Sequence, residues 1–216
     1  MGVDDTSADA AGRGRSHWNS AAVLLVVLLA GIPAAFYVLT VPFVQGGDGG
    51  RAPGPRADLK NLVTFVIARR TGKTSGAWPA YEGKNFVLSV VASKDIDLRR
   101  RENLEVLFPV SGLPAGFGPE DYEVVTKQSL ETQRFPHLTE VAGRRNMDPA
   151  WRITEEGEQE GTPLMAVVMP GAGVLIGFSG GDVRLYEPEE LGLRPGEPVR
   201  FGDEAKSDLL RCLSDQ

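Results

Sequence analysis

The sequence predicts an α+β protein: an N-terminal transmembrane helix, then one amphipathic helix packed on a small antiparallel sheet. Residues 21–44 contain no charged side chain. A later segment, residues 58–70, has apolar residues at helical spacing, and three short runs near the C-terminus are rich in β-forming residues and separated by glycine turns. The chain therefore divides into a polar tail (1–20), a transmembrane helix (21–44), a Gly/Pro linker (45–56) and a soluble α+β domain (57–216).

Composition excludes several classes of protein. The 216 residues include 26 Gly and 15 Pro, which disfavour long helical bundles because neither residue suits a helix interior. The formal net charge of −6 argues against nucleic acid as a partner, since such binding needs clustered Lys and Arg. The one cysteine, Cys212, excludes an internal disulfide framework and a multi-cysteine zinc site.

The uncharged run reads AAVLLVVLLAGIPAAFYVLTVPFV. At about 1.5 Å per residue, a helix of this length crosses a hydrocarbon core about 30 Å thick. A cleaved signal peptide is the alternative, but its apolar region spans only about 7–15 residues, and the Val-Gln-Gly-Gly flank fits a cleavage site poorly. We therefore predict an uncleaved anchor in the inner membrane, with the lipid bilayer as its partner through residues 21–44 and a kink at Pro33.

Basic residues flank this run about equally on both sides, so their bias does not set the orientation. Long domains translocate largely regardless of charge. The tail 1–20 is therefore predicted inside the cytoplasm and the domain 57–216 outside it. The linker, QGGDGGRAPGPR, contains five Gly and two Pro and is predicted to be a flexible tether.

The segment ADLKNLVTFVIARR predicts the main helix of the domain. Its apolar residues recur at i, i+3, i+4, i+7 and i+8, which places them on one helix face: Leu59, Leu62, Val63, Val66 and Ile67. Asp58 lies in the first predicted turn and Arg69 and Arg70 in the last, as the helix dipole favours.

The middle of the domain gives weaker patterns. Residues 86–91 have apolar spacing that suits a short helix, although their β-branched content leaves a strand open. Residues 103–108 alternate apolar and polar side chains before a proline, which predicts a strand. Residues 122–161 show little periodicity and are predicted to be mostly irregular.

The C-terminal third predicts an antiparallel meander. Residues 163–169, 173–178 and 182–186 are rich in β formers, and Pro170-Gly171 and Gly180-Gly181 between them are turn signals. Alternation in the last run predicts a half-buried strand. A final amphipathic turn is expected at Leu209, Leu210 and Leu213, near Cys212.

This order of elements resembles the globular domain of type II secretion pseudopilins. The resemblance rests on the passages LKNLVTFVIARR, GKTSGAWPAYEGKNFVLSVV, LEVLFPV and GVLIGFSGGDVRLY, and covers roughly residues 59–193. In prepilin-like relatives the last hairpin carries a DG-x-V turn, and here that turn reads Ser179-Gly180-Gly181-Asp182-Val183. The resemblance implies a helix packed on an antiparallel sheet and protein partners in a secretion or envelope assembly.

The anchor differs from the family pattern. Prepilins begin their apolar segment with a processing site followed by a buried glutamate, whereas residues 16–44 contain no glutamate. The family's membrane helix also continues directly into the domain, and residues 46–55 interrupt it here. We therefore expect a permanently anchored monomer or small oligomer that does not enter a pilus-like filament as an ordinary subunit.

Candidate catalytic motifs are incomplete, so no catalytic residue and no cofactor is assigned. Thr71-Gly72-Lys73-Thr74 lacks the first glycine of a phosphate loop and follows a helix rather than a strand. His137 is a candidate general base, but Gly177-Phe178-Ser179-Gly180 is too short for a nucleophile elbow. We predict a structural or adaptor protein rather than an enzyme.

The alternative is a membrane-tethered ligand- or calcium-binding module that uses Asp182 and nearby loop carbonyls, with the metal left open. The acidic run at residues 155–160 lacks the alternating pattern of a calcium loop and is expected to be solvated. The basic cluster at residues 99–101 is expected to be a surface patch.

Overall fold

A computed structural model describes residues 54–71, 77–132, 134–154 and 161–216. The predicted tail (1–20) and transmembrane helix (21–44) lie outside these residues. Within the described residues, no helix has both the length and the hydropathy needed to cross a membrane. The α+β class with an antiparallel sheet is confirmed for the described part of the chain.

Five α-helices and five strands are present in the described residues. The helices are α1 (Pro55–Thr71), α2 (Gly83–Ala92), α3 (Arg101–Glu105), α4 (Lys127–Glu131) and α5 (Asp208–Arg211). The strands are β1 (Ala142–Arg144), β2 (Pro163–Met169), β3 (Gly173–Phe178), β4 (Val183–Tyr186) and β5 (Leu213–Ser214). Short 3₁₀ helices lie at Pro119–Asp121, Pro136–Leu138, Pro188–Leu191 and Gly202–Glu204.

The strands form one antiparallel sheet in the order β4-β3-β2-β1-β5. The predicted meander is confirmed as β2, β3 and β4. Alternation divides the sheet into two faces. The helix-covered face carries Met165, Val167 and Leu175, while the opposite face carries Ala166 and Ile176.

The α1 prediction is confirmed. Four residues of the predicted face have no exposed surface: Leu59, Leu62, Val63 and Val66. The fifth, Ile67, is only partly buried. The helix lies so close to β3 that a Cβ atom on Gly177 would come within 2.3 Å of Val63 Cγ2. It begins at Pro55, so the last two residues of the predicted linker belong to the helix.

Residues 86–91, whose pattern fits a helix or a strand, lie in α2. Nearly every side of this helix is buried, because α1, α4 and β1 all pack around it. At its start, a Cβ atom on Gly143 of β1 would come within 2.0 Å of the Gly83 carbonyl oxygen. Glycine at position 143 therefore allows the start of α2 to pack directly on the backbone of β1.

The strand predicted at residues 103–108 is wrong. This segment forms the end of α3 and a turn at residues 106–107. Leu104, Leu107 and Phe108 are all buried, and their i, i+3, i+4 spacing fits a helical turn as well as the alternating pattern fits a strand. The pair between Arg101 Nε and Glu105 Oε1, at 2.9 Å, also suits a helix.

The irregular region predicted at residues 122–161 contains the strand β1. β1 lies between β2 and β5, with Ala142 opposite Ala166 and Gly143 opposite Met165. Its three residues, Ala-Gly-Arg, are poor β formers, so the sequence gives no strand signal. Small residues are favoured here because α2 packs directly on this strand.

The opposite face of the sheet is covered by residues 187–212, which contain short helices and turns. Leu191, Leu193 and Leu210 pack from this segment onto Val174 and Ile176. The predicted C-terminal turn is confirmed as α5, whose cap residue Ser207 accepts a hydrogen bond from the Leu209 backbone. Its Leu209 is only partly buried.

Candidate functional site

The first candidate site is a groove of about 570 Å³ at the beginning of α1. We call it the docking groove and define it by residues 54–57 and Lys60 of the α1 end, with Met169, Leu175 and Leu185 of the sheet. β4 is an edge strand, so no further strand covers Leu185, which is 47% exposed. The floor of the groove is apolar.

Two cations, Arg56 and Lys60, lie on the docking groove. Arg56 Nη2 donates a hydrogen bond to the Val183 carbonyl oxygen at 2.9 Å, which fixes the guanidinium beside the edge strand. Lys60 is exposed and has no ion-pair partner within the part of the chain that the structure describes. None of the described residues that line the groove is acidic. An apolar floor with a basic margin suits an anionic, partly apolar partner.

The second candidate site is a cleft of about 600 Å³ between α1, α2 and α4, which we call the aromatic cleft. Its walls combine aromatic, charged and hydroxyl side chains: Arg69, Trp78, Tyr81, Ser93, Lys127 and Glu131. Trp78 is 7% exposed, and its Nε1 atom has no hydrogen-bond partner among the described residues. A buried N–H group without an acceptor is unfavourable, so this indole can gain a bond from a bound group.

Both positively and negatively charged side chains line the aromatic cleft. Arg69 donates a hydrogen bond to the Ser89 carbonyl oxygen and lies 3.9 Å from an Asp95 carboxylate oxygen. Burial raises the pKa of Tyr81, and the carboxylate of Glu131 adds to this while Arg69 opposes it. The Tyr81 hydroxyl therefore stays protonated near neutral pH and offers a donor.

Asp182 does not form a metal site with other described residues. It lies exposed in the β3–β4 turn, where its carboxylate pairs with Arg184 Nη2 at 3.3 Å. Across the described residues, no group of three or more His, Cys, Asp or Glu side chains is arranged to hold a metal ion. The calcium-binding alternative therefore gains no support from the geometry around Asp182.

The remaining sequence candidates fall on separate surfaces. His137 lies exposed on a 3₁₀ helix with its ring against Phe135, at a centroid distance of 6.3 Å. In the basic cluster, Arg100 lies 3.8 Å from Asp97, and Arg101 pairs with Glu105 within α3. The phosphate-loop residue Lys73 and the acidic run at 155–160 lie outside the described residues.

Cys212 is a buried thiol beside a buried arginine. Burial raises its pKa and outweighs the opposing effect of Arg144, so the thiol stays protonated near neutral pH and is not an activated nucleophile. Arg144 donates hydrogen bonds to the carbonyl oxygens of Trp151, at 2.7 and 2.9 Å, and of Pro163, at 2.8 Å. These bonds tie the loop at Trp151 to β1 and β1 to the start of β2, which gives Arg144 a structural role.

Neither candidate site is indicated by the sequence patterns. The docking groove joins the helix end at residues 54–60 to Met169 and Leu185, which are more than 100 positions away. The aromatic cleft has one signal, the Trp-Pro-Ala-Tyr passage at residues 78–81, which by itself predicts only a loop. Comparison of the chain with family models, curated proteins and solved structures gave no match.

Proposed function

We propose that this chain is a single-span membrane protein, anchored through residues 21–44, that displays a pseudopilin-like α+β domain outside the cytoplasm. Its role is structural or adaptor-like, in a secretion or envelope assembly. The observation that carries the proposal is the position of α1. This helix follows directly on the linker and packs its apolar face along an antiparallel sheet, which is the layout that the family resemblance implies.

Membrane fractionation of the full chain tests the anchor. We expect the protein to resist alkaline carbonate extraction, because the 24 uncharged residues are long enough to span a bilayer. The matched control removes residues 1–53 and leaves α1 complete, and this variant should appear in the soluble fraction. Soluble full-length protein with its N-terminus trimmed after the apolar run would instead identify a signal peptide.

Mass spectrometry of the membrane-extracted protein tests the departure from ordinary prepilins. We expect the residues before Ala21 to remain attached, since residues 16–44 lack the family's glutamate. A methylated new N-terminus between Arg15 and Ser20, or protein in sheared filaments, would contradict the proposal and indicate an ordinary pseudopilin subunit.

The adaptor role is tested by photo-crosslinking in intact cells. A crosslinking residue replaces Val124, which is 57% exposed, or Met147, which is 46% exposed. Discrete products with components of an envelope assembly are expected. If crosslinkers at these two positions, and crosslinkers placed in the docking groove and the aromatic cleft, gave no such products, the result would count against an adaptor role.

The aromatic cleft favours a second candidate function, a tethered ligand-binding module. Its aromatic wall, the unpartnered Trp78 Nε1, two cations and Glu131 suit a short peptide segment that brings carbonyl acceptors and one charged group. Titration with proline-containing peptides should saturate if this function is correct. Lys127→Gln should then weaken binding, while Lys206→Gln, outside the cleft, should not.

A further inference from the structure

The docking groove leaves apolar side chains uncovered at one corner of the domain. Leu175 is fixed in the sheet, and Met169 and Leu185 flank it on the neighbouring strands. Leu185 is 47% exposed although its strand partner Leu175 is almost completely buried. A leucine in this position gains free energy when an apolar surface covers it.

The margin of the docking groove is basic although the domain is acidic. Residues 54–216 have 25 acidic and 20 basic side chains, yet the charged residues at the groove are Arg56 and Lys60. Arg56 uses Nη2 for the Val183 carbonyl, which leaves further N–H groups of the guanidinium to meet an anion. The charge pattern therefore selects an anionic surface.

The groove also lies where the described chain begins. Gly54 lines it, and only residues 45–53 separate Gly54 from the end of the uncharged run. Nine extended residues span at most about 30 Å. A bilayer that contains residues 21–44 would therefore lie within reach of the groove.

We propose that the docking groove seats the domain on the anionic lipid surface of the bilayer that carries the anchor. Leu185 and Met169 enter the boundary between headgroups and acyl chains, and Arg56 and Lys60 contact lipid phosphates. This inference rests on the proposed membrane anchor. A weak contact suffices, because the tether makes docking an intramolecular event with a high effective concentration.

The test measures the depth of one side chain in the full-length protein in vesicles. Leu185→Cys is labelled with the environment-sensitive fluorophore NBD. One set of vesicles contains phosphatidylcholine alone and the other also contains phosphatidylglycerol. Both sets include nitroxide-labelled lipid as the quencher. Val124→Cys is the matched control, since Val124 is also apolar, is 57% exposed and lies outside the groove. The native Cys212 is buried, so the unsubstituted chain should take up no label.

We expect quenching at position 185 to exceed that at position 124 by about twofold or more in vesicles with phosphatidylglycerol. The difference should shrink without phosphatidylglycerol, and also in a Leu185→Cys chain that carries Arg56→Gln and Lys60→Gln. Equal quenching at the two positions in chains that float with the vesicles would overturn the docking proposal and leave the anchor intact.

Two further outcomes would overturn lipid docking in distinguishable ways. Blue-shifted NBD emission at position 185 without quenching by lipid would show that a protein, such as a second copy of the chain, covers the groove in place of lipid. Chains that fail to float with the vesicles would overturn the anchor, and the docking proposal with it.

Discussion

The two faces of the sheet are built in different ways. The helix-covered face is filled by aliphatic side chains from α1 and α2, which meet Met165, Val167 and Leu175. The opposite face has a smaller apolar cluster under the irregular segment 187–212. Regular helices therefore cover one face, and turns with short helices cover the other.

In the described part of the chain, each face also buries a charged residue, and the surroundings of the two residues differ. On the helix side, Asp58 in the first turn of α1 is 7% exposed, and burial followed by repulsion from Glu105 raises its pKa to about 6. On the opposite side, Arg144 is also 7% exposed but donates hydrogen bonds to two backbone carbonyl groups. The buried arginine therefore has backbone acceptors for its N–H groups, whereas the surroundings of the buried aspartate disfavour its charged form.

Leucine truncation on each face should show the largest effect. Leu62 and Leu210 are both completely buried, one under each face. We expect Leu62→Ala to lower the free energy of unfolding by about 2–5 kcal/mol, and Leu210→Ala to fall at or below the lower end of that range because its irregular surroundings can collapse. Chemical denaturation checks both.

The control for these variants is Lys60→Ala, on the exposed side of α1, which should change stability by less than about 0.5 kcal/mol. If Leu62→Ala were no more costly than Lys60→Ala, α1 would be peripheral to the core. If Leu210→Ala exceeded Leu62→Ala, the comparison between the faces would be wrong.

Arg144→Met tests the hydrogen bonds of the opposite face. Methionine keeps much of the buried apolar volume but leaves the Trp151 and Pro163 carbonyl oxygens without this donor. We expect a loss of about 1–3 kcal/mol, measured by denaturation, together with faster proteolysis within residues 145–154. An unchanged cleavage rate would show that the arginine does not hold this loop.

Gly177→Ala tests the close approach of α1 to β3. The new methyl group would overlap Val63 Cγ2, so we expect a loss of about 1–2 kcal/mol. In the double variant with Val63→Ala, the loss should be smaller than the sum of the two single losses by about 1 kcal/mol. Additive losses would mean that the backbone shifts and relieves the overlap.

Asp58→Asn should have the smallest effect and a dependence on pH. Because the folded-state pKa of Asp58, about 6, is above its ordinary value of 3.8, the native state binds the proton more tightly than the unfolded state. Its contribution is therefore present at low pH and is lost as pH rises through about 4 to 6. We expect Asn to stabilise the domain by about 1 kcal/mol at pH 7.5 and to change little near pH 4.

Denaturation at several pH values measures this difference. Asp182→Asn is the matched control, since Asp182 is exposed and lies in a turn. A difference between Asp58→Asn and the parent chain that does not vary with pH would show that folding does not raise the pKa of the Asp58 carboxyl group.

Local sequence determined the elements whose patterns repeat over many residues. α1 follows from apolar spacing over three turns, and β2, β3 and β4 follow from β-forming runs bounded by glycine turns. These patterns suffice because each residue's preference agrees with the face that it buries. The same patterns predicted the α+β class of residues 57–216 but indicated neither candidate site.

Tertiary structure alone decided the rest, because it depends on contacts between distant segments. β1 is a strand because β2 and β5 supply its hydrogen bonds. The apolar residues at 103–108 could be buried in a helix or in a strand, and the surrounding contacts decide for a helix end and a turn. Asp58 suits its helix dipole in the sequence, yet burial beside Glu105 makes its charge unfavourable. The docking groove likewise exists only because residues 54–60 meet the edge of the sheet, a juxtaposition that no local pattern encodes.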